Sequence, residues 1–537
     1  MVSARHDYSR LNFLIVDDFP NFCSALRNMA QSFGVQNIDI YHNGDDAVSA
    51  LAKTRYDVVL CDYNLGEGRT GNDVLEEAKH RKLLKSSALF LMITAENTAD
   101  MVRGALEFQP DDYLTKPVTK EVLQTRLSRL LDRSAAFKDV YLHRDRERVD
   151  EAVTLLEQIA AERGRYSGYA LKLRAELLLE SKRYPQAVDM LQQILMIKNL
   201  AWAKLALGKA YFYQGMMDKA IKAFESLVEE DKGYVQAWDW LARCQEQAGD
   251  TEAAQRSLEA AVKVSPINIR RQAQLGELAV KNGDVERAEM AYGRAVKIGK
   301  HSVFREPDTY IKLSEILVTK LESAEGLIKK NAEIKALGTM DELRQLYRGD
   351  SEVQLRSRLM DHKVYTTQGN ATMADKVLSK AYDLCQHDEA GVVSSEFKEQ
   401  LIKQLESKGR QDLVDNLVQA MQQEESDHNR QAVEFYDQGD IRRALAALQI
   451  AVQEKPRSYA VNLNLAQVAM HHIAKYGVDT GLLEQAGEAL QRVVGISDED
   501  KRAKLYHNLQ ARFEKLSKQQ PAAGRGAPAA PSAGGQS

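Results

Sequence analysis

The chain has 537 residues, of which 44% are hydrophobic and 28% charged, and its formal net charge is only -4. That length implies two or more folding units, and the near-balanced charge points away from a nucleic-acid or membrane-surface binder. The longest apolar runs, such as 13–16 and 88–93, fall well short of the ~20 residues a membrane span requires, the first residues lack a leader-type apolar stretch, and the scattered cysteines Cys23, Cys61, Cys244 and Cys385 read as reduced thiols, so a cytoplasmic protein is expected.

After an N-terminal extension, 1–10, short β-branched runs alternate with helical periodicity through residue 132. Strands are expected at 12–16, 38–41, 58–61, 89–93 and 112–115, with helices beginning near Pro20, Gly44, Gly71, Thr98 and Lys120. Five strands alternating with five helices predict an α/β domain, a doubly wound five-stranded parallel sheet over 11–132. The strand runs look continuously apolar, as strands covered on both faces do.

Charged and hydroxyl side chains cluster at the C-terminal ends of these strands. Asp17 and Asp18 follow the first, Asp62 the third, Thr94 the fourth and Lys116 the fifth. In an open parallel sheet, ligands bind outside those ends. Clustered carboxylates repel one another without a cation, and their hard oxygens suit a hydrated ion such as Mg²⁺. A carboxylate beside that ion can accept a phosphoryl group, while an ammonium and a hydroxyl bind the remaining oxygens. Taken singly, each residue has a structural alternative: Asp18 capping the helix at Pro20, Thr94 capping the next helix, Asp62 in a loop, Lys116 as a solvated charge.

The motifs Leu14-Ile15-Val16-Asp17-Asp18, Val58-Val59-Leu60-Cys61-Asp62, Met92-Ile93-Thr94-Ala95 and Asp112-Tyr113-Leu114-Thr115-Lys116-Pro117 resemble those of a two-component response-regulator receiver domain of flavodoxin-like fold. The resemblance implies that Asp62 is the phospho-acceptor, served by a histidine kinase or phosphotransfer protein. It implies that Asp17, Asp18, Asp62 and the Asn64 backbone carbonyl ligate Mg²⁺, and that Thr94 and Lys116 contact the phosphoryl group. Thr94 and Tyr113 are then the switch residues, and the Lys116–Pro117 peptide is cis. Pairing of two receivers through 98–108, 112–115 and 120–131 is a further implied possibility. Two departures stand out. The loop Asn64-Leu65-Gly66-Glu67-Gly68-Arg69-Thr70-Gly71 lacks the usual proline and is slightly long, and Gln109-Pro110-Asp111 stands where the family has Gly-Ala.

From 133 to 148 the chain is charged and reads as a helical connector. Beyond it Gly215, Gly249 and Gly283, like Ala220, Ala254 and Ala288, recur at the roughly 34-residue period of tetratricopeptide repeats. Such repeats are expected over 149–303 and again over 428–518, where Ala432, Phe435, Gly439, Ala444, Leu448, Ala451 and Pro456 repeat the pattern. Small residues suit close helix crossings, and the glycines suit turns that need positive φ. Residues 304–427 read as helical repeats out of register, and 519–537, rich in Pro, Gly, Ala and Ser, as a disordered tail.

Stacked helix pairs form an all-α solenoid with a concave groove. Trp202, Leu205, Lys209, Phe212, Asp239, Arg243 and Glu246 are expected to line it and to bind a protein or peptide target. No helix-turn-helix follows the receiver-like segment, and no nucleophile–base pair or metal motif rises in 304–427, so the chain is not expected to be an enzyme. The expected function is a response regulator whose phosphorylation state controls protein interaction through the repeats. The alternative is a constitutive repeat scaffold that uses its receiver mainly for dimerisation.

Overall fold

The structure, a computed structural model, describes residues 7–95, 107–386, 393–477, 479–497 and 500–518. It divides into two compact units, Met1–Lys320 and Leu321–Ser537. No helix among the described residues is long and apolar enough to cross a membrane.

The first unit opens with five strands: β1 (Asn12–Val16), β2 (Asn37–Tyr41), β3 (Val58–Asp62), β4 (Leu89–Thr94) and β5 (Asp112–Thr115). All neighbours pair in parallel, in the order β2-β1-β3-β4-β5. Because successive strand residues point to opposite faces, Phe13 and Ile15 join one core layer with Leu26, Leu123 and Leu127. Leu14 and Val16 join the other, with Ala47, Val74 and Phe90. The helices are α1 (Pro20–Phe33), α2 (Gly44–Lys53), α3 (Gly71–His80) and α4 (Lys120–Ala136). The helix expected from Thr98 lies outside the described residues apart from its last part. One expectation is corrected: β2 is a half-exposed edge strand and is not covered on both faces. It needs only one partner strand, so it tolerates Asp39, whose carboxylate accepts from the Tyr56 hydroxyl at 2.6 Å.

Between α4 and α5 (Lys138–Asp145) lies Phe137, fully buried. Phe137, Val140 and Tyr141 pack with Ala152 and Leu156 of α6 (Val149–Ala161) and with Ala170 and Leu173 of α7 (Ser167–Glu180). The helical pairs continue as α8 (Tyr184–Ile197), α9 (Ala201–Tyr213), α10 (Met217–Glu230), α11 (Val235–Gln247), α12 (Thr251–Val264), α13 (Ile269–Lys281), α14 (Val285–Ile298) and α15 (Pro307–Ser323). Gly215, Gly249 and Gly283 turn the chain between paired helices at φ +74°, +87° and +75°, where a side chain is disfavoured. Ala220, Ala254 and Ala288 are completely buried at the crossings. A Cβ on Gly208 would lie 2.5 Å from the Phe224 ring, and one on Gly276 2.7 Å from Tyr292. The glycines let a large aromatic of the second helix lie against the first helix's backbone.

The second unit is also helical: α16 (Gly326–Leu346), α17 (Ser351–Thr367), α18 (Ala371–Gln386), α19 (Ser395–Ser407), α20 (Gln411–Gln423), α21 (Asp427–Asp437), α22 (Ile441–Glu454), α23 (Tyr459–Tyr476), α24 (Thr480–Gln491) and α25 (Ala503–Lys518). Leu355 and Leu359 of α17, Leu378 of α18, Leu401 of α19 and Leu417 of α20 share one core, and Ala444, Ala466 and Ala489 sit in another.

Candidate functional site

β1 and β3 are adjacent and parallel, so their C-terminal ends deliver Asp17, Asp18 and Asp62 to one sheet edge. One oxygen from each of the three lies within 4.8 Å of the others. Asp17 is 1% exposed and Asp62 5%. Lys116, just beyond β5, reaches back, and its Nζ donates to Asp17 Oδ2 at 2.8 Å and to Asp62 Oδ2 at 3.0 Å. The ammonium also lies 4.3 Å from the centre of the Phe22 ring. The Lys116–Pro117 peptide is cis, as the resemblance implies.

The remaining oxygens are unevenly satisfied. Asp17 Oδ1 accepts from the Phe19 amide at 2.9 Å and Asp62 Oδ1 from the Tyr63 amide at 3.0 Å. Asp18 Oδ1 is buried with no hydrogen-bond partner. Asp18 does not cap the helix at Pro20: the N-cap is Phe19, without a side-chain bond. A buried, unpaired carboxylate oxygen is costly, and beside two further carboxylates it fits a hard divalent cation. Gly66, at φ +77°, leaves room there, since a Cβ would stand 3.3 Å from Asp18 Oδ2. Burial pushes the Asp62 carboxyl up to about 6, opposed by the Lys116 hydrogen bond and reinforced by the Asp17 charge. Burial alone would lower the Lys116 ammonium, but its bonds to Asp17 and Asp62 raise it overall.

Thr94 ends β4, almost completely buried, and its carbonyl accepts from the Lys116 amide at 2.7 Å. Tyr113, on β5, packs against the layer holding Phe90 and Met92. Asn64 is exposed in the loop after Asp62, and its side-chain oxygen accepts from the Gly66 amide at 3.3 Å. In the same loop Arg69 pairs with Asp45 and Glu77. Gly71 sits so close to Asp62 that a Cβ would overlap its carbonyl oxygen, at 2.2 Å. The second departure, Gln109-Pro110-Asp111, is also a built feature. Asp111 accepts from the Phe90 amide at 3.0 Å and from Arg133 Nη2 at 2.6 Å. That guanidinium stacks 4.8 Å from the centre of Tyr169 on α7.

The repeat residues divide into two sets. Trp202, Leu205 and Lys209 line a cavity of about 400 Å³, together with Glu107 and Gln109 from the sheet domain. The others are engaged within the chain. Phe212 meets Trp240 edge-on at 5.4 Å, and Arg243 lies over the same indole at 4.7 Å. Asp239 pairs with Arg271, and Glu246 with Lys281.

Sequence reasoning missed the contacts between the sheet domain and the repeats. Glu107 is bound by Arg271, Ser265 and Asn268. Glu76 accepts from Ser302 at 2.8 Å, and His80 meets Phe304 at 5.0 Å. Of the adjacent pair Arg270 and Arg271, only the second reaches the sheet domain's Glu107. The first lies over Phe304. Two adjacent arginines followed by a helical pattern gave no local sign of which one points inward.

A family model for the response regulator receiver domain matches residues 13–128. Tetratricopeptide-repeat models match 211–266 and, separately, 138–199, 246–302 and 429–501. The chemotaxis protein CheY of Pseudomonas aeruginosa is 29% identical over 123 residues, which are 23% of this chain and 98% of the relative. CheY-3 of Vibrio cholerae is 30% identical over 123 residues, 23% of this chain and 93% of the relative. Among solved structures, a two-component response regulator from Clostridium difficile is 25% identical with TM-score 0.21, over 23% of this chain and 98% of its own. MamA protein is 19% identical with TM-score 0.28, over 35% and 92%.

Proposed function

Because the chain belongs to the response-regulator receiver family through residues 13–128 and carries tetratricopeptide repeats beyond them, we propose that Asp62 accepts a phosphoryl group and that its phosphorylation state governs the protein partner the repeats engage. The observation that carries this is the convergence of Asp17, Asp18 and Asp62, with one Asp18 oxygen orphaned and Lys116 bridging two of the three residues. The donor is a phosphohistidine on a kinase or phosphotransfer protein. An Asp62 carboxylate oxygen forms the new bond to phosphorus, the phosphorus–nitrogen bond breaks, and the departing imidazole takes a proton. Asp17, Asp18, Asp62 and the Asn64 carbonyl would hold Mg²⁺, which when bound would neutralise charge on the phosphoryl oxygens. Lys116 holds Asp62 in place before the reaction and is free to turn to a phosphoryl oxygen after it.

The route outward uses one of this chain's own departures, Gln109-Pro110-Asp111. Thr94 is tied to Lys116 through the backbone, and β5 begins at Asp112, next to Asp111 with its bond to Arg133. Arg133 touches both β5's entry and Tyr169 of the first helical pairs. A shift at the acidic site therefore has a packed path to the repeats.

Intact-mass measurement after incubation with Mg²⁺ and acetyl phosphate tests the chemistry. One phosphoryl adduct, removed by hydroxylamine, is expected for wild type and none for Asp62→Asn. Undiminished labelling of Asp62→Asn removes the assignment. Absence of labelling in wild type leaves the constitutive scaffold as the better account.

A further inference from the structure

Arg271 of α13 and the turn before it, with Ser265 and Asn268, form a pocket of donors around one acidic side chain. Glu107 fills it with four hydrogen bonds, accepting from Arg271 Nη2 at 2.5 Å, Arg271 Nη1 at 3.3 Å, Ser265 Oγ at 2.7 Å and Asn268 Nδ2 at 2.6 Å. The Arg271 side chain is 2% exposed and that of Glu107 10%. The receptor side is oriented by repeat residues alone. Asp239 accepts from Arg271 Nε and Nη2, both at 2.7 Å, and the Ser265 carbonyl accepts from Nη1 at 2.8 Å. Asn268 is fixed as the N-cap of α13, accepting from the Arg271 amide at 3.1 Å. A guanidinium locked in this way presents a rigid two-pronged donor to a carboxylate, which neither a lysine nor a neutral amide reproduces.

Beside this receptor lies the cavity of about 400 Å³, whose walls include Trp202, Leu205, Tyr234 and Lys209. An aromatic and aliphatic pocket next to an oriented guanidinium is the anatomy of a peptide-recognition hot spot. We infer that the repeats bind a protein segment presenting a glutamate or aspartate side chain to Arg271, with a neighbouring apolar residue in the cavity, and that the receiver's Glu107 occupies this position as a tethered competitor. Charge complementarity carries the choice of partner. A basic segment would meet Arg271 and Lys209, and a neutral one would leave the Ser265, Asn268 and Arg271 donors unpaired. The trigger for exchange rests on the proposed function, since phosphorylation has to weaken the tethered contact. The receptor itself does not depend on it.

The experiment uses the full-length chain. A fluorescein-labelled peptide of residues 103–110, whose only acidic residue is Glu107, serves as the probe, alongside the same peptide with Glu107→Gln. Fluorescence anisotropy is expected to show at least tenfold tighter binding of the acidic peptide to the Glu107→Ala chain than to wild type. The Gln peptide is expected to lose at least tenfold. Hydrogen–deuterium exchange on the same proteins is expected to rise several-fold over 265–275 in Glu107→Ala. Equal binding of the two peptides, or no binding of either to Glu107→Ala, overturns the receptor. Unchanged exchange in Glu107→Ala overturns the tethered occupancy. If both results are as expected but beryllofluoride with Mg²⁺ leaves wild-type exchange unchanged, the receptor stands and the phosphorylation control under the proposed function fails.

Discussion

Among the places in the first unit where one cation lies between two carboxylates, the sheet edge and the repeat groove are built to opposite ends. At the sheet edge Lys116 bridges Asp17 and Asp62, and in the groove Arg271 bridges Asp239 and Glu107. The Lys116 side chain is 18% exposed and its neighbour Asp18 keeps an unpartnered oxygen. The Arg271 side chain is 2% exposed, and Glu107 accepts hydrogen bonds on both oxygens. An under-satisfied carboxylate cluster with an open edge can still take up a cation or a phosphoryl group. A saturated pair can only hold or release. The difference lies in the third carboxylate, in coordination and in access.

The sharpest way to break this comparison is to remove each cation in turn. Arg271→Ala leaves Glu107 and Asp239 together with no cation between them. Loss of one partner of a buried charge pair costs about 3–5 kcal/mol. Lys116→Ala also leaves two carboxylates together, but Asp62 is already pushed up to about 6 by burial and takes a proton, so its cost is smaller. Urea unfolding is expected to place the Arg271→Ala midpoint well below that of Lys116→Ala. Coincident midpoints would mean that the groove pair is no more structural than the acidic site.

Thr94→Ala sharpens it from the other side. The hydroxyl is no part of the cation site, so phosphorylation at Asp62 is expected to persist. The change in exchange over 265–275 that beryllofluoride is expected to cause in wild type is expected to vanish. A full response in Thr94→Ala would show that the signal leaves the acidic site by another path.

The two sites also differ in how far the sequence reveals them. Asp17, Asp62, Thr94 and Lys116 each sit at the end of a short apolar run, and a parallel sheet must bring such ends together, so local pattern plus one topological rule suffices. Glu107 and Arg271 are 164 residues apart. Nothing in either neighbourhood distinguishes them from solvated helix charges. The repeats show the same limit. Gly215, Gly249 and Gly283 keep an even period, but the equivalent positive-φ turns at Gly369, Gly409 and Gly439 do not. A helical pair tolerates longer or shorter connections at its ends, so the packing survives where the period is lost. The connector shows a third limit: Arg133, Arg144 and Arg146 make 133–148 look like a solvated link, while Phe137, Val140 and Tyr141 are buried.

The smallest expected effect comes from pH, at the second contact between the receiver and the repeats. Burial lifts the Glu76 carboxyl to about 7, with the Ser302 hydrogen bond opposing, Asp73 on the same helix raising it, Arg270 lowering it and Glu107 raising it further. An acid raised above its unfolded value binds more protons in the folded arrangement between the two values, so that arrangement weakens as pH rises. The contribution of Glu76 is therefore complete below the ordinary glutamate value and is lost as pH rises through about 7. The acidic site carries its own raised carboxyl at Asp62, which makes a control necessary. Glu76→Gln keeps a polar partner for Ser302 and removes the titration. Exchange protection over 299–306, corrected for the intrinsic rate, is expected to fall modestly between pH 6 and pH 8 in wild type and to stay level in Glu76→Gln. A fall of equal size in the variant would assign the pH response elsewhere, with Asp62 the first group to examine. A level wild type would mean that Glu76 is held by Ser302 and Arg270 strongly enough to stay ionised throughout.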